Sequence, residues 1–162
     1  MTELIAEVGL AHDGSLGIAH SYIDLAKSLG IDTIKFQMHE PKYESSKNEK
    51  FRINFSYEDN SRYDYWERTR FSFENWTKLI NHAKEKNINF LITPFSIKAL
   101  ENIYKLGLKR VKIGSAEAID KLILNRALDY GFEMVISNGF CDNSIFELID
   151  QIKLRINNLS VL

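Results

Sequence analysis

Lysine occurs twice in this chain inside a short apolar run, in Thr33-Ile-Lys-Phe-Gln37 and in Val111-Lys-Ile-Gly-Ser-Ala-Glu117. Alternation along a pleated strand turns Lys112 away from Val111 and Ile113. An ammonium group sent there is costly unless an anion or a carboxylate meets it. Either Lys35 and Lys112 close structural ion pairs with Glu7 and Glu117, or they are held for a negatively charged ligand. Polar side chains stand beside them. Gln37 follows Lys35, Ser115 and Glu117 follow Lys112, and Glu7, Thr93 and Ser137 lie in or at the ends of three further apolar runs. Lysines and hydroxyls converging in a dry cleft would stabilise phosphate and carboxylate groups, and a carboxylate among them could move protons. Taken alone, Ser115 and Ser137 read as turn residues.

The elements that must position these groups alternate strictly. Leu4–Val8 reads as a strand and Gly9–Gly14 as a loop. Ser15 then caps a helix whose apolar face is Ala19, Tyr22, Ile23, Ala26 and Leu29, with Gly30 stopping it. After the strand Thr33–Gln37, residues 38–70 are polar and aromatic with no steady period. A connection that long is either a surface excursion pinned by its aromatics or a lid. Ser72 caps a helix bearing Trp76, Leu79, Ile80 and Ala83, with Asn87 as its stop. A strand at Asn89–Phe95 and a helix with Ile97, Leu100, Ile103 and Tyr104 follow. The strand Arg110–Ile113, a helix from about Asp120 to Tyr130, and the strand Glu133–Ser137 come next. A last helix begins at Asp142 or Asn143, and Leu159–Leu162 opens a sixth strand.

Alternating strands and helices imply a parallel sheet covered by helices. Polar residues at each successive strand end favour a (β/α) barrel over an open doubly wound sheet, in which ligand groups gather at one crevice. A complete eight-unit barrel needs about 250 residues, so these 162 residues are expected to form about five units and the start of a sixth strand.

A formal net charge of −1 gives no global field for nucleic acid or an anionic membrane, so any anion preference must be local. The single Cys141 cannot form an internal disulfide, and no signal peptide or long apolar span is visible; the expected location is cytoplasmic. Dinucleotide, phosphate-loop, paired-cysteine and H-E-x-x-H signatures are all missing. The histidines His12, His20, His39 and His82 show no ligand spacing; His20 and His82, on helices, read as structural or solvated, and His12, in the loop after the first strand, is a candidate for the site.

Five strand-end motifs together resemble those of the sialic acid synthase family, which includes N-acetylneuraminate synthases and their legionaminate and pseudaminate counterparts. They are Ile5-Ala-Glu-Val-Gly-Leu-Ala-His-Asp-Gly14, Ile34-Lys-Phe-Gln37, Ile92-Thr-Pro-Phe-Ser96, Val111-Lys-Ile-Gly-Ser-Ala-Glu117 and Val135-Ile-Ser-Asn-Gly139. The resemblance implies a TIM (β/α)8-type barrel, here truncated, with residues 1–162 an incomplete synthase domain lacking the last barrel strands and an antifreeze-like domain. It implies condensation of phosphoenolpyruvate with an N-acetylated hexosamine such as N-acetylmannosamine, giving a nine-carbon 2-keto sugar acid and phosphate. Carried over by motif, Lys35, Thr93, Lys112, Ser115 and Ser137 would bind phosphoenolpyruvate. Glu7 and Gln37 would hold the sugar, with Glu117 and Glu7 as candidate catalytic carboxylates. A divalent metal, manganese or magnesium, is implied for the family without matching ligands in this chain, and a homodimer is implied for the full-length protein. These residues are expected to be inactive alone. A Schiff-base aldolase acting on a related 2-keto acid and a non-catalytic, partner-dependent half barrel are the other readings.

Overall fold

The computed structural model describes residues 2–53, 55–139, 149–150, 152, 154 and 159–162. The apolar runs become strands and the three-four stripes become helices: β1 (Ile5–Gly9), α1 (Leu16–Ser28), β2 (Thr33–Met38), α2 (Arg62–Thr69), α3 (Phe73–Glu85), β3 (Asn89–Pro94), α4 (Ile97–Lys105), β4 (Arg110–Ile113), α5 (Lys121–Asp129), β5 (Glu133–Ile136) and β6 (Leu159–Val161). The strands run in chain order in one sheet, β1-β2-β3-β4-β5-β6. The four strand pairs β1–β2, β3–β4, β4–β5 and β5–β6 are parallel. Such an order has no reversal point, which is barrel-type winding and not the doubly wound kind. The predicted last helix falls mostly outside the described residues, although its Ile149 and Ile152 are buried; Cys141 also lies outside them.

Backbone contacts divide the chain into two units, residues 1–90 and 91–162. In the first, Ala19, Ile23 and Ala26 of α1 and Trp76, Leu79 and Ala83 of α3 are buried, as their spacing predicts. Phe36 of β2 stacks on Phe90 with ring centroids 5.2 Å apart, and Trp76 meets both rings edge-on. Leu29 departs from expectation: it caps α1 and is exposed, because the helix ends before its stripe returns to the sheet. In the second unit, Val111, Ile113, Met134, Val135 and Ile136 are all buried, the burial on both faces that a covered parallel sheet demands.

Side-chain oxygens cap the described helices at their N-termini. Ser15, Ser61, Ser72 and Ser96 accept from backbone N–H groups three residues on, at 3.1 to 3.3 Å, and Asp120 accepts from Leu122 at 2.8 Å. Asn87 takes φ 54° after α3, as its reading as a stop implied.

Residues 38–70 hold more structure than their composition predicts: a 3-10 turn at Pro41–Tyr43 and α2. Arg68 of α2 ties this segment back to the loop after β1, donating to Asp59 at 2.8 Å and to Asp13 at 2.9 Å. The backbones come close there too. Gly14 has φ +80°, and a Cβ on it would lie 2.7 Å from the Arg68 carbonyl oxygen, so only glycine fits.

Candidate functional site

Two clusters of predicted site residues form, one in each unit. In the first, Glu7 of β1 is the register partner of Lys35 of β2, and the two side chains form an ion pair. Lys35 is 11% exposed at its side chain and Glu7 46%, so the pair has a dry end and a wet end. The register slips between Glu7 and Gly9, which brings Gly9, at φ +57°, alongside both neighbours. A Cβ there would lie 3.1 Å from Glu7 Oε1 and 3.6 Å from the Gln37 amide, so Glu7 and Gln37 both close on this glycine, with Lys35 held by Glu7.

In the second unit Lys112 is buried at 7% exposure. Its Nζ donates to Ser137 Oγ at 2.5 Å and to its neighbour Ile113's carbonyl oxygen at 2.9 Å. Register explains the meeting. Lys112 is paired with Val135 across β4 and β5, so Ser137, two residues on, lies on the same face. Burial pulls the Lys112 pKa below the ordinary lysine value, and the nearby Glu117 carboxylate opposes that shift. Ser115 approaches Gly139, where a Cβ would lie 3.1 Å from Ser115 Oγ. The Glu117 carboxylate folds back over Gly114 so closely that a side chain there would collide with it. Thr93 is buried at the end of β3, one residue beyond the Ile92–Val111 partner pair.

Lys35 thus has its carboxylate, while Lys112 hydrogen-bonds the neutral oxygens of Ser137 and Ile113 with the Glu117 carboxylate near enough to act on its charge.

His12 takes a structural place. It is fully buried, its ring stacked on Phe71 at 4.4 Å, with Nδ1 accepting the Gly14 N–H at 3.1 Å and Nε2 without a hydrogen-bond partner. Burial lowers its pKa to about 4, so it is neutral near pH 7. His39 is also buried, stacked on Trp66 at 4.5 Å with Nδ1 2.7 Å from Glu44. Among the described residues no group of three or more His, Cys, Asp or Glu is arranged to hold a metal ion, and no helix is long and apolar enough to cross a membrane.

Sequence inspection passed over α2 and its partners. Ser61-x-x-Asp64 was the available signal, since Ser61 Oγ accepts from the Asp64 N–H and donates to its carboxylate. The helix brings Tyr65 and Trp66 to a cavity of about 410 Å³ shared with Phe51, Phe55 and Arg62.

Comparison with known proteins places these strand ends in context. The model of the NeuB family matches residues 22–158. The chain is 30% identical over 144 residues to N,N'-diacetyllegionaminic acid synthase of Campylobacter jejuni, covering 87% of this chain and 43% of that protein. It is 29% identical over 157 residues to human N-acetylneuraminate-9-phosphate synthase, covering 95% and 44%. Among solved structures, the N-acetylneuraminic acid synthetase of Leptospira borgpetersenii superposes with a TM-score of 0.81 at 25% identity, over 98% of this chain and 52% of that one. The chain thus spans less than half the length of these curated relatives and about half of the solved one.

Proposed function

Because this chain belongs to the NeuB family, we propose that it is the phosphoenolpyruvate-binding part of a sialic-acid-type synthase, which condenses phosphoenolpyruvate with an N-acetylated hexosamine. The observation that carries this reading is the state of Lys112, a buried cation hydrogen-bonded to neutral oxygens at a strand end that also bears Ser115 and Glu117. A multiply charged phosphate ester would form charge-assisted hydrogen bonds with such a lysine. Lys112, Ser137, Ser115 and Thr93 take the phosphate and carboxylate of phosphoenolpyruvate. By motif, Lys35 is also assigned to phosphoenolpyruvate, and Glu7 and Gln37 to the sugar.

In the reaction, the C2=C3 π electrons of phosphoenolpyruvate form a bond from C3 to the aldehyde carbon of the open-chain sugar, whose C=O π bond opens to an alkoxide that takes up a proton. Water adds to the cationic C2 and gives up a proton. The bond from C2 to the phosphate oxygen then breaks, the new C2 hydroxyl loses its proton to become the keto oxygen, and inorganic phosphate leaves. Glu117 takes the proton that water releases on adding to C2, and Glu7 is the second candidate for proton transfer. Among the described residues no group of three or more His, Cys, Asp or Glu fits the divalent metal implied by the family resemblance, and His12 and His39 are buried in aromatic stacks, so no step of the condensation is assigned to a metal.

Residues 1–162 are one part of a larger catalytic barrel and are inactive alone, a reading supported by the share of the relatives that they span. Calorimetric titration with phosphoenolpyruvate tests the binding role: saturable binding that Lys112→Met abolishes is expected, and equal binding by the variant would overturn it. Phosphate release with N-acetylmannosamine and manganese tests inactivity, and robust turnover by this chain would sink that claim. The lowered pKa of Lys112 also favours a Schiff-base aldolase as a second reading. Borohydride trapping with pyruvate decides it, since an unlabelled Lys112 removes the idea.

A further inference from the structure

Helices α1 and α3 meet through a histidine pair that the proposed reaction does not use. His20 Nδ1 lies 2.8 Å from His82 Nδ1, with ring centroids 4.8 Å apart and planes inclined at 52°. On its far side His82 Nε2 lies 3.2 Å from Asp24 Oδ1. That carboxylate fixes the tautomer: the His82 proton belongs on Nε2, which leaves the Nδ1 lone pair pointing at His20. His20 can answer with an Nδ1–H. It can also shift its proton to Nε2 and present a second lone pair to the same point.

We propose that His20 and His82 form a two-imidazole site for a borderline divalent cation such as Zn2+ or Cu2+, bridging α1 to α3. Zinc–nitrogen bonds are about 2.0–2.1 Å. A tetrahedral angle between two such bonds separates the nitrogens by about 3.4 Å, so the rings need part by only about half an ångström. Asp24 accepts from the far nitrogen of a ligating imidazole, the outer contact that orients metal-bound histidines and raises their basicity. Two imidazoles select Cu2+ and Zn2+ over Mn2+ and Mg2+. Water completes the coordination, because Asp24 faces the other nitrogen and His82 is 17% exposed at its side chain. The neighbouring ammonium groups are already matched, Lys86 by Asp24 at 2.6 Å and Lys78 by Glu74 at 2.7 Å. Burial and the facing imidazole hold the His20 pKa below its ordinary value, so protons compete weakly at neutral pH.

The test is calorimetric titration of the whole chain with ZnCl2 and with CuCl2 at pH 7.5, alongside thermal unfolding with and without each ion. One saturable equivalent and a raised unfolding midpoint are expected. His20→Gln and His82→Gln should each weaken binding at least about tenfold, and Asp24→Asn by about tenfold. Cys141→Ser should leave binding unchanged. Metal-free unfolding of each variant, followed by circular dichroism, separates lost binding from lost fold. Binding that survives His20→Gln, or that disappears only in Cys141→Ser, overturns the proposal. So does an absence of saturable binding, which would leave the pair sharing only a proton.

Discussion

Lys35 and Lys112 occupy equivalent places on their strands, yet the chain provides for them in opposite ways. Lys35 faces Glu7 across the β1–β2 register and rests in an ion pair with one end in water. Lys112 is buried to a similar degree, is partnered by a hydroxyl and a backbone carbonyl, and has its pKa lowered by burial. A paired lysine is electrostatically complete before any ligand arrives, whereas one held by neutral oxygens carries a charge that its surroundings only partly offset. On the proposed reading, the difference makes Lys112 the more important of the two lysines for anion binding.

The sharpest way to break this comparison is to remove each ammonium group in turn. Lys112→Met should weaken phosphoenolpyruvate binding at least about 100-fold, roughly 3 kcal/mol or more, and Lys35→Met by about tenfold. Equal losses in calorimetry would erase the distinction.

Acid sharpens it from the other side, because the first unit buries His12 completely. Its folded pKa of about 4 lies below the ordinary histidine value of 6.5. The unfolded chain therefore binds more protons between those values, and stability present above pH 6.5 is lost as pH falls toward 4. The loss amounts to about 3 kcal/mol. Urea unfolding across that range measures it. His12→Asn keeps an acceptor for the Gly14 N–H and should flatten the slope; an unchanged slope would assign the acid sensitivity elsewhere.

Stability without ligand should separate the two lysines by a smaller margin. Lys35→Met strands Glu7 and should cost about 1 kcal/mol, which the double variant Glu7→Gln with Lys35→Met recovers. Lys112→Met should fall within about 1 kcal/mol of the parent or above it, since a buried cation is replaced by an apolar chain of similar length.

The smallest effect is a fraction of a proton. A Lys112 pKa below 10.5 means that the folded protein releases this proton before the unfolded chain does, so its contribution to stability rises with pH up to that value. A bound anion restores the charge. Titrations at alkaline pH in buffers of different ionisation enthalpy should show proton uptake on phosphoenolpyruvate binding, and Lys112→Met should show none.

Much of the fold was legible because its signals are local. Serines before apolar stripes became caps, Asn87 ended α3, and each polar strand end was visible as an interruption of an apolar run. Helix α2 was obscured because only Thr69 among its eight residues is buried, so it shows no apolar stripe. Leu29 was misjudged because one more residue of helix was assumed. At the site, residue types were readable but partner choice was not. Glu7 and Lys35 meet through strand register, while Glu117 lies beyond the turn at Gly114, and neither fact follows from spacing along the chain.

The Arg68 clasp has a kinetic consequence. Its contact with Asp13 joins residues 55 apart in sequence. Closing a loop of that length costs on the order of 3–4 kcal/mol in chain entropy, more than a part-exposed ion pair returns. A clasp that returns less than its closure costs contributes little to the folding barrier. Arg68→Ala is therefore expected to hasten unfolding and leave the folding rate nearly unchanged, as stopped-flow folding and unfolding rates would check.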